Sequence, residues 1–175
     1  QIIVNDYLQT DESHIYAIGD VIGGYQLAHV AAREGILAVE HAEGLKVTPM
    51  LSSQVPRCIY SRPEVAAIGL TEQQAAAGGY QVQTVTLPFN QIGKAWVYGE
   101  TEGFIKVIAD RETEDILGVH IIGPHATELI SEAALAQILE ATPWEVSQAI
   151  HPHPSMTEIM AEAMAAASQK LLESK

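Results

Sequence analysis

Five short runs of β-branched and aromatic residues follow one another through the middle of the chain. Such runs, bounded by polar or glycine-containing turns, are typical of strands. The polar segment Asp110 to Asp115 has the character of a turn between the last two. The pattern predicts an antiparallel meander with strands at Val55 to Tyr60, Val65 to Gly69, Val82 to Leu87, Phe104 to Ala109 and Ile116 to Ile122.

Segments with helical spacing accompany these strands. Thr71-Glu72-Gln73-Gln74 has the Thr-x-x-Gln form of a capping box and predicts a short helix that ends at Gly78-Gly79. We expect two further helices to close the chain, one from Thr127 to Glu140 and one from Ser155 to about Leu172. Strands followed by helices indicate an α+β fold, here an antiparallel sheet with flanking helices.

The first 48 residues follow a different pattern. Ser13 to Asp20 is typical of a strand buried on both faces, and apolar spacing predicts a helix from Leu27 to Glu43. A strand and a helix make half of an α/β unit, so we expect two domains, 1–48 and 49–175. Because Gln1 to Asn5 has the character of a strand entered in mid-course, we interpret the chain as a fragment.

The charge balance narrows the classes of partner. Nine Lys and Arg against 22 Asp and Glu give a formal net charge of -13, which repels nucleic acid and attracts a basic partner. The longest apolar stretches fall far below the roughly 20 residues that span a bilayer, so we expect no membrane association. Cys58 is the only cysteine and is expected to act as a small buried apolar residue. A lone thiol suits a reducing compartment, and the expected location is the cytoplasm.

The first candidate site lies where the predicted N-terminal strand ends. Asp20 would stand at the carboxyl end of that strand, where α/β sheets bind ligands, and its carboxylate could accept hydrogen bonds from sugar or ribitol hydroxyls. Gly19 would let a ligand approach the backbone. The alternative is that Asp20 only caps the following turn, and that the nearby glycines serve loop geometry.

The second candidate site is the segment Ile150 to Glu158. Prolines on both sides of His153 would present its ring on a stiff loop before a helix. Glu158 could accept the Nδ1 proton of that ring and fix its tautomer, which would make His153 a general acid/base. Alternatively, Ser155-x-x-Glu158 is only a capping box, and His151 is expected to be an ordinary loop histidine.

Longer motifs carry a resemblance to a known family. Thr10, the segment Ile15 to Asp20, Leu27-Ala28-His29 and Glu34-Gly35 together resemble the second flavin fingerprint of the pyridine nucleotide-disulfide oxidoreductases. The segment Ile150 to Glu158 resembles the His-x-His-Pro-Thr-x-x-Glu signature of the dihydrolipoamide dehydrogenase branch, with serine in place of the threonine. The pattern of the family's interface domain is followed by Val55 to Tyr60, Pro63 to Ala66, Gly69 to Glu72 and Gly118 to Gly123.

This resemblance implies roles for the candidate residues. Residues 1–48 would end a FAD-binding domain, and 49–175 would form the dimerisation domain. Asp20 would bind the flavin ribitol, and the segment Gln26, Leu27, Ala28, His29 would lie by the isoalloxazine ring. His153 and Glu158 would be the acid/base pair, serving the active site of the other subunit.

The resemblance also implies a reaction and its partners. The whole enzyme would be a homodimer that oxidises dihydrolipoyl groups with FAD and NAD+. Its partners would be the lipoyl domain and the basic subunit-binding domain of an acyltransferase. This sequence contains neither a Gly-x-Gly-x-x-Gly turn nor a redox cysteine pair. We therefore expect only part of the FAD site here, no NAD site, no metal site and no turnover by the segment alone.

The sequence is compatible with two other interpretations. A glutathione reductase-like disulfide reductase carries a similar His-Pro-x-x-x-Glu element, although the preceding His151-Pro152 favours the dihydrolipoamide branch. From a different class, the chain could be a non-catalytic dimerisation or docking module whose acidic surplus binds a basic partner.

Overall fold

The computed structural model describes residues 1–173, and the chain divides at Ser52, where one folded unit ends and a second begins. The first unit contains one long helix, α1 (Ala28–Ala42), which matches the predicted helix. Its buried face carries Val30, Leu37 and Ala38. A 3₁₀ turn, Gly19–Ile22, precedes α1.

The predicted strand at Ser13 to Asp20 is wrong. Only an isolated antiparallel bridge between Gln9 and Tyr16 forms there, supported by a 3.0 Å hydrogen bond from the Ala17 N–H to the Leu8 carbonyl. A strand needs a neighbour that supplies a ladder of hydrogen bonds, and the unit Gln1–Ser52 contains none. Within this segment Ile15 and Ile18 are exposed, Tyr16 is partly buried, and Ala17 is buried.

The second unit is built on one antiparallel sheet, which confirms the predicted α+β class. All five predicted strands are present, but the order across the sheet is β1-β2-β5-β4-β3. Consecutive pairing therefore holds for β1-β2 and for β3-β4-β5, whereas β2 pairs with β5 and the simple meander is wrong. The strands are β1 (Arg57–Ile59), β2 (Glu64–Gly69), β3 (Val82–Pro88), β4 (Phe104–Asp110) and β5 (Ile116–Gly123).

The main core lies between this sheet and two helices, α4 (Ala126–Ile138) and α6 (Glu158–Glu173). A bulge between β4 and β5 near Leu117 interrupts the alternation of side chains along β5 and changes which of them face the main core. Ile116 points into the main core, and Leu117 joins a small cluster elsewhere in the unit. The largest fully buried side chains of the main core are Ile68, Phe89, Ile105, Val107, Val119, Ile121, Ile130, Ile159, Met160 and Met164.

Three short helices complete the second unit: α2 (Glu72–Ala77), α3 (Gly93–Tyr98) and α5 (Pro143–Gln148). The predicted α2 is confirmed with both halves of its capping box, whereas α3 and α5 were not predicted. Helix α6 begins at Glu158 rather than at the predicted Ser155. Every helix in residues 1–173 is too short or too polar to cross a bilayer.

The capping box of α2 allows a direct test of its contribution to stability. Thr71 Oγ1 accepts the Gln74 N–H at 3.2 Å, and Gln74 Oε1 accepts the Thr71 N–H at 2.9 Å. We expect Thr71→Ala to lower the free energy of unfolding by about 1 kcal/mol, because one N-terminal N–H loses its acceptor. Chemical denaturation measures this change. Gln73→Ala, on the exposed face of the same helix, is the control and should have little effect; an equal loss in both variants would contradict the cap's role.

Candidate functional site

The predicted pair His153 and Glu158 is in direct contact. His153 Nδ1 lies 2.8 Å from Glu158 Oε1, and the Ser155 N–H donates to Glu158 Oε2 at 2.9 Å. One carboxylate therefore orients the imidazole and also accepts the N–H of Ser155, three residues before the start of α6. This is one half of the predicted capping box; Ser155 Oγ lies 2.7 Å from Thr157 Oγ1. The acid/base and capping interpretations of Glu158 are compatible, because each uses a different oxygen.

The protonation state of this pair follows from its hydrogen bonds. The bond from His153, and then the bond from the Ser155 N–H, lower the pKa of Glu158 below its ordinary value. An ionised carboxylate can only accept, so the shared proton lies on His153 Nδ1, and Nε2 of the neutral ring can accept a proton. The side chain of His153 is 78% exposed, which leaves the ring accessible from outside the unit.

His151 differs from the ordinary loop histidine that the sequence suggested. Its side chain is only 9% exposed, and its Nε2 lies 2.8 Å from Glu132 Oε1 on α4. Its Nδ1 lies 2.9 Å from the Ala149 carbonyl oxygen. The two histidines of this loop therefore have opposite environments, one fixed against α4 and the other open.

The residues of the first candidate site lie in the unit Gln1–Ser52. Asp20 sits in the 3₁₀ turn that precedes α1, and its side chain is exposed. Leu27 is the N-cap residue of α1, and its carbonyl accepts the N–H groups of Val30 and Ala31. Gln26, Ala28 and His29 are exposed around this helix start.

Glu34, which belongs to the motif that resembles the flavin fingerprint, is buried, a position that the sequence did not predict. It is 7% exposed, and its Oε2 accepts the N–H of Gly19 at 2.7 Å. Gly19 has a φ of +72°, a left-handed conformation that favours glycine. A signal for Glu34 exists in the sequence, since it shares the buried stripe of α1 with Val30 and Leu37 and interrupts an otherwise apolar face.

Cys58 packs partly buried against the main core, in the small apolar role expected of it. Burial, followed by the charges of Glu64 and Glu128, raises the pKa of its thiol. A raised pKa reduces the thiolate fraction and therefore the reactivity of the sulfur. Within residues 1–173, no group of three or more His, Cys, Asp or Glu side chains is arranged to hold a metal ion.

Comparison with known families agrees with the motifs and the fold. Residues 55–164 match the dimerisation domain of the pyridine nucleotide-disulphide oxidoreductases, and residues 1–35 match the pyridine nucleotide-disulphide oxidoreductase domain. The chain therefore belongs to the pyridine nucleotide-disulphide oxidoreductase family, as its sequence motifs predicted.

Similarity to individual proteins indicates which branch of this family the chain resembles. The chain is 61% identical over 171 residues to dihydrolipoyl dehydrogenase of Bacillus subtilis, covering 98% of this chain and 36% of that protein. Among solved structures, LpdA from Mycobacterium tuberculosis superposes with a TM-score of 0.90 at 32% identity, covering 94% of this chain and 36% of that one.

A second solved structure is the HOCl-induced flavoprotein disulfide reductase RclA from Escherichia coli. It superposes with a TM-score of 0.81 at 28% identity, covering 93% of this chain and 38% of that one. The chain thus spans little more than a third of the length of each of these relatives.

Proposed function

We propose that the protein containing this chain is a FAD-dependent dihydrolipoyl dehydrogenase. In this reaction a dihydrolipoyl dithiol loses two electrons and two protons, NAD+ takes up a hydride, and one proton is released. The observation that carries the proposal is the contact between His153 Nδ1 and Glu158, which orients an exposed imidazole for proton transfer. The 61% identity to a protein named dihydrolipoyl dehydrogenase supports this substrate class.

His153 and Glu158 have separate tasks in the proposed reaction. Nε2 of His153 takes the proton of a dihydrolipoyl thiol and leaves a thiolate, which is the nucleophilic form of sulfur. The resulting imidazolium donates from Nδ1 to Glu158, whose negative charge stabilises it. The thiolate would attack a redox disulfide outside this chain, and the dithiol would close to a disulfide as that redox pair is reduced. Bound FAD would supply the chemistry that transfers the electron pair from the reduced pair to NAD+.

The first unit fits one end of a flavin dinucleotide. Asp20 is exposed and can accept hydrogen bonds from vicinal ribitol hydroxyls. Nearby, the backbone at Gly24 is open, since a Cβ added there would meet nothing within 4 Å. We propose that Asp20 holds the ribitol and that the segment Gln26 to His29, at the start of α1, lies beside the ring system.

We also propose a homodimer in which His153 of one protomer serves the active site of the other. The match of residues 55–164 to a dimerisation domain supports this arrangement, and the exposure of His153 leaves its ring accessible to a second chain. The net charge of -13 supports docking of the basic subunit-binding domain of an acyltransferase, whose lipoyl domain would deliver the substrate.

The proposed substrate class can be tested with the purified full-length protein. We expect NADH to form when dihydrolipoamide and NAD+ are supplied, and little reduction of glutathione disulfide by NADH or NADPH. A yellow protein that reduced glutathione disulfide instead would favour the glutathione reductase-like alternative. A colourless full-length protein without either activity would favour the docking module.

FAD affinity tests whether the turn that carries Asp20 contributes to flavin binding. Glu34→Ala removes the acceptor of the Gly19 N–H, and leaving a buried N–H unpaired costs roughly 1–3 kcal/mol. We expect the turn to loosen and FAD affinity in the full-length protein to fall about fivefold, measured by flavin titration of the apoprotein. Glu34→Gln keeps an acceptor oxygen and should bind FAD more tightly than Glu34→Ala. The control, Glu43→Ala at the exposed end of α1, should not change affinity; unchanged binding by Glu34→Ala would contradict the prediction.

A further inference from the structure

The loop between α5 and α6 carries two histidines, only one of which the proposed reaction uses. His151 is 9% exposed whereas His153 is 78% exposed, although only Pro152 separates them. The proposed reaction gives no role to His151, although its side chain is fixed next to the proposed catalytic histidine.

The contacts of His151 leave neither ring nitrogen open to a substrate. Its Nδ1 lies 2.9 Å from the Ala149 carbonyl oxygen. Its Nε2 lies 2.8 Å from Glu132 Oε1. Because both nitrogens face protein groups and the side chain is only 9% exposed, His151 is held in place, whereas His153 is presented to the outside.

The same bonds connect the loop to two helices. Glu132 belongs to α4, and Ala149 is the C-cap residue of α5. On the other side of His153, Met156 is buried in the main core, two residues before α6. The segment is therefore fixed at His151 and again at Met156, and the exposed His153 lies between these two points.

The charge of His151 has a smaller effect that also favours the contact between Glu158 and His153. The pKa of Glu158 is lowered first by the hydrogen bond from His153, then by the bond from the Ser155 N–H and by the charge of His153, and least by the charge of His151. An ionised Glu158 is the form that accepts from His153 Nδ1. His151 thus supports both the position of the loop and the charge of the carboxylate that orients His153.

We infer that His151 is a positioning residue, and that its bonds to Glu132 on α4 and to the Ala149 carbonyl hold the loop so that His153 is presented to the substrate. This inference rests on the proposed acid/base function of His153. Because a displaced catalytic group reduces the rate of the chemical step, loss of the His151–Glu132 contact should lower kcat. It should leave the KM for dihydrolipoamide nearly unchanged, since neither residue is proposed to bind substrate.

The test uses the full-length flavoprotein with paired variants. Glu132→Ala and His151→Phe should each lower kcat with dihydrolipoamide about 5- to 10-fold, with KM within about twofold. Glu132→Gln should retain most of kcat, because its amide can still hydrogen-bond to His151 Nε2 in place of the carboxylate. The double variant Glu132→Ala/His151→Phe should lose no more than the worse single variant, since both changes remove one contact.

Controls separate this effect from a general loss of structure. Glu162→Ala, on the exposed face of α6, should leave kcat unchanged. The reduction by NADH of an artificial acceptor that takes electrons directly from flavin should be unaffected in every variant, which shows that the folded holoenzyme persists. If His153→Gln abolishes turnover but Glu132→Ala does not lower kcat, or if Glu132→Gln is as impaired as Glu132→Ala, the positioning role is wrong. If His153→Gln itself keeps full turnover, the proposed acid/base function is what fails.

Discussion

Replacing His153 by glutamine in the full-length protein is expected to lower dihydrolipoamide turnover by roughly 10²-fold or more, the scale of a positioned proton-transfer group. Glutamine keeps a donor that can reach Glu158 but cannot take up a proton. The His153 side chain is 78% exposed, so its removal leaves the core intact. Flavin content, dimerisation and thermal stability should therefore stay close to those of the unmodified protein.

The control for this substitution is a second exposed histidine. His14 lies in an exposed turn of the first unit, so His14→Gln makes the same chemical change at a residue outside the pair. Its turnover should equal that of the unmodified protein. If His153→Gln and His14→Gln behaved alike in steady-state assays, His153 would not be the acid/base.

Glu158→Gln is expected to have the second largest effect, a roughly 10- to 100-fold loss of turnover. The carboxylate accepts from two donors, His153 Nδ1 and the Ser155 N–H, whereas a glutamine amide offers only one acceptor oxygen. If that oxygen caps α6, the amide nitrogen faces Nδ1 and favours the tautomer with the proton on Nε2. That tautomer cannot accept a thiol proton.

The pH dependence of turnover in Glu158→Gln tests separately the effect of the negative charge on Glu158. The lost carboxylate no longer stabilises the imidazolium, so the acid limb of the turnover profile should move to lower pH. Turnover equal to that of the unmodified protein across the whole pH range would mean that Glu158 only caps the helix. Glu162→Gln on the exposed face of α6 is the matched control.

The contribution of Glu158 to the stability of the fold should decrease as the pH falls. The pKa of Glu158 is lowered in the folded protein by its bonds to His153 and the Ser155 N–H. The ionised carboxylate therefore stabilises the fold at pH values above its unfolded pKa, and this contribution is lost as the pH falls through the folded pKa. The difference in thermal midpoint between the unmodified protein and Glu158→Gln should be small at neutral pH and should vanish in acid.

Features with a short-range signal could be predicted from the sequence. The capping box of α2 spans four residues, so local spacing was enough to predict it. His153 and Glu158 are five positions apart, so spacing allowed their contact, and the motif resemblance favoured it over the capping alternative. Helix α5, which was not predicted, has a similar short-range signal, because Thr142 and Glu145 form a capping box with Pro143 at the first helical position. Helix α3 begins at Gly93 and offers no such start signal.

Features that depend on distant partners could not be predicted. The pairing of β2 with β5 is set by contacts far apart in sequence, so the strand order was wrong although the strands were right. The segment Ser13 to Asp20 has strand composition without a strand partner in its unit. The contacts of His151 with Glu132 and of Gly19 with Glu34 span 19 and 15 residues, which no local spacing reveals.

A half-reaction measurement isolates the step in which His153 would take the proton of the dithiol. In a stopped-flow experiment without NAD+, flavin absorbance follows the reduction of the full-length holoenzyme by dihydrolipoamide. We expect this single-turnover rate to fall roughly 10²-fold or more in His153→Gln. The reduction by NADH of an acceptor that takes electrons directly from flavin, which involves no dithiol, should proceed at the unmodified rate. Equal rates of reduction by dihydrolipoamide in His153→Gln and the unmodified protein would contradict the claim.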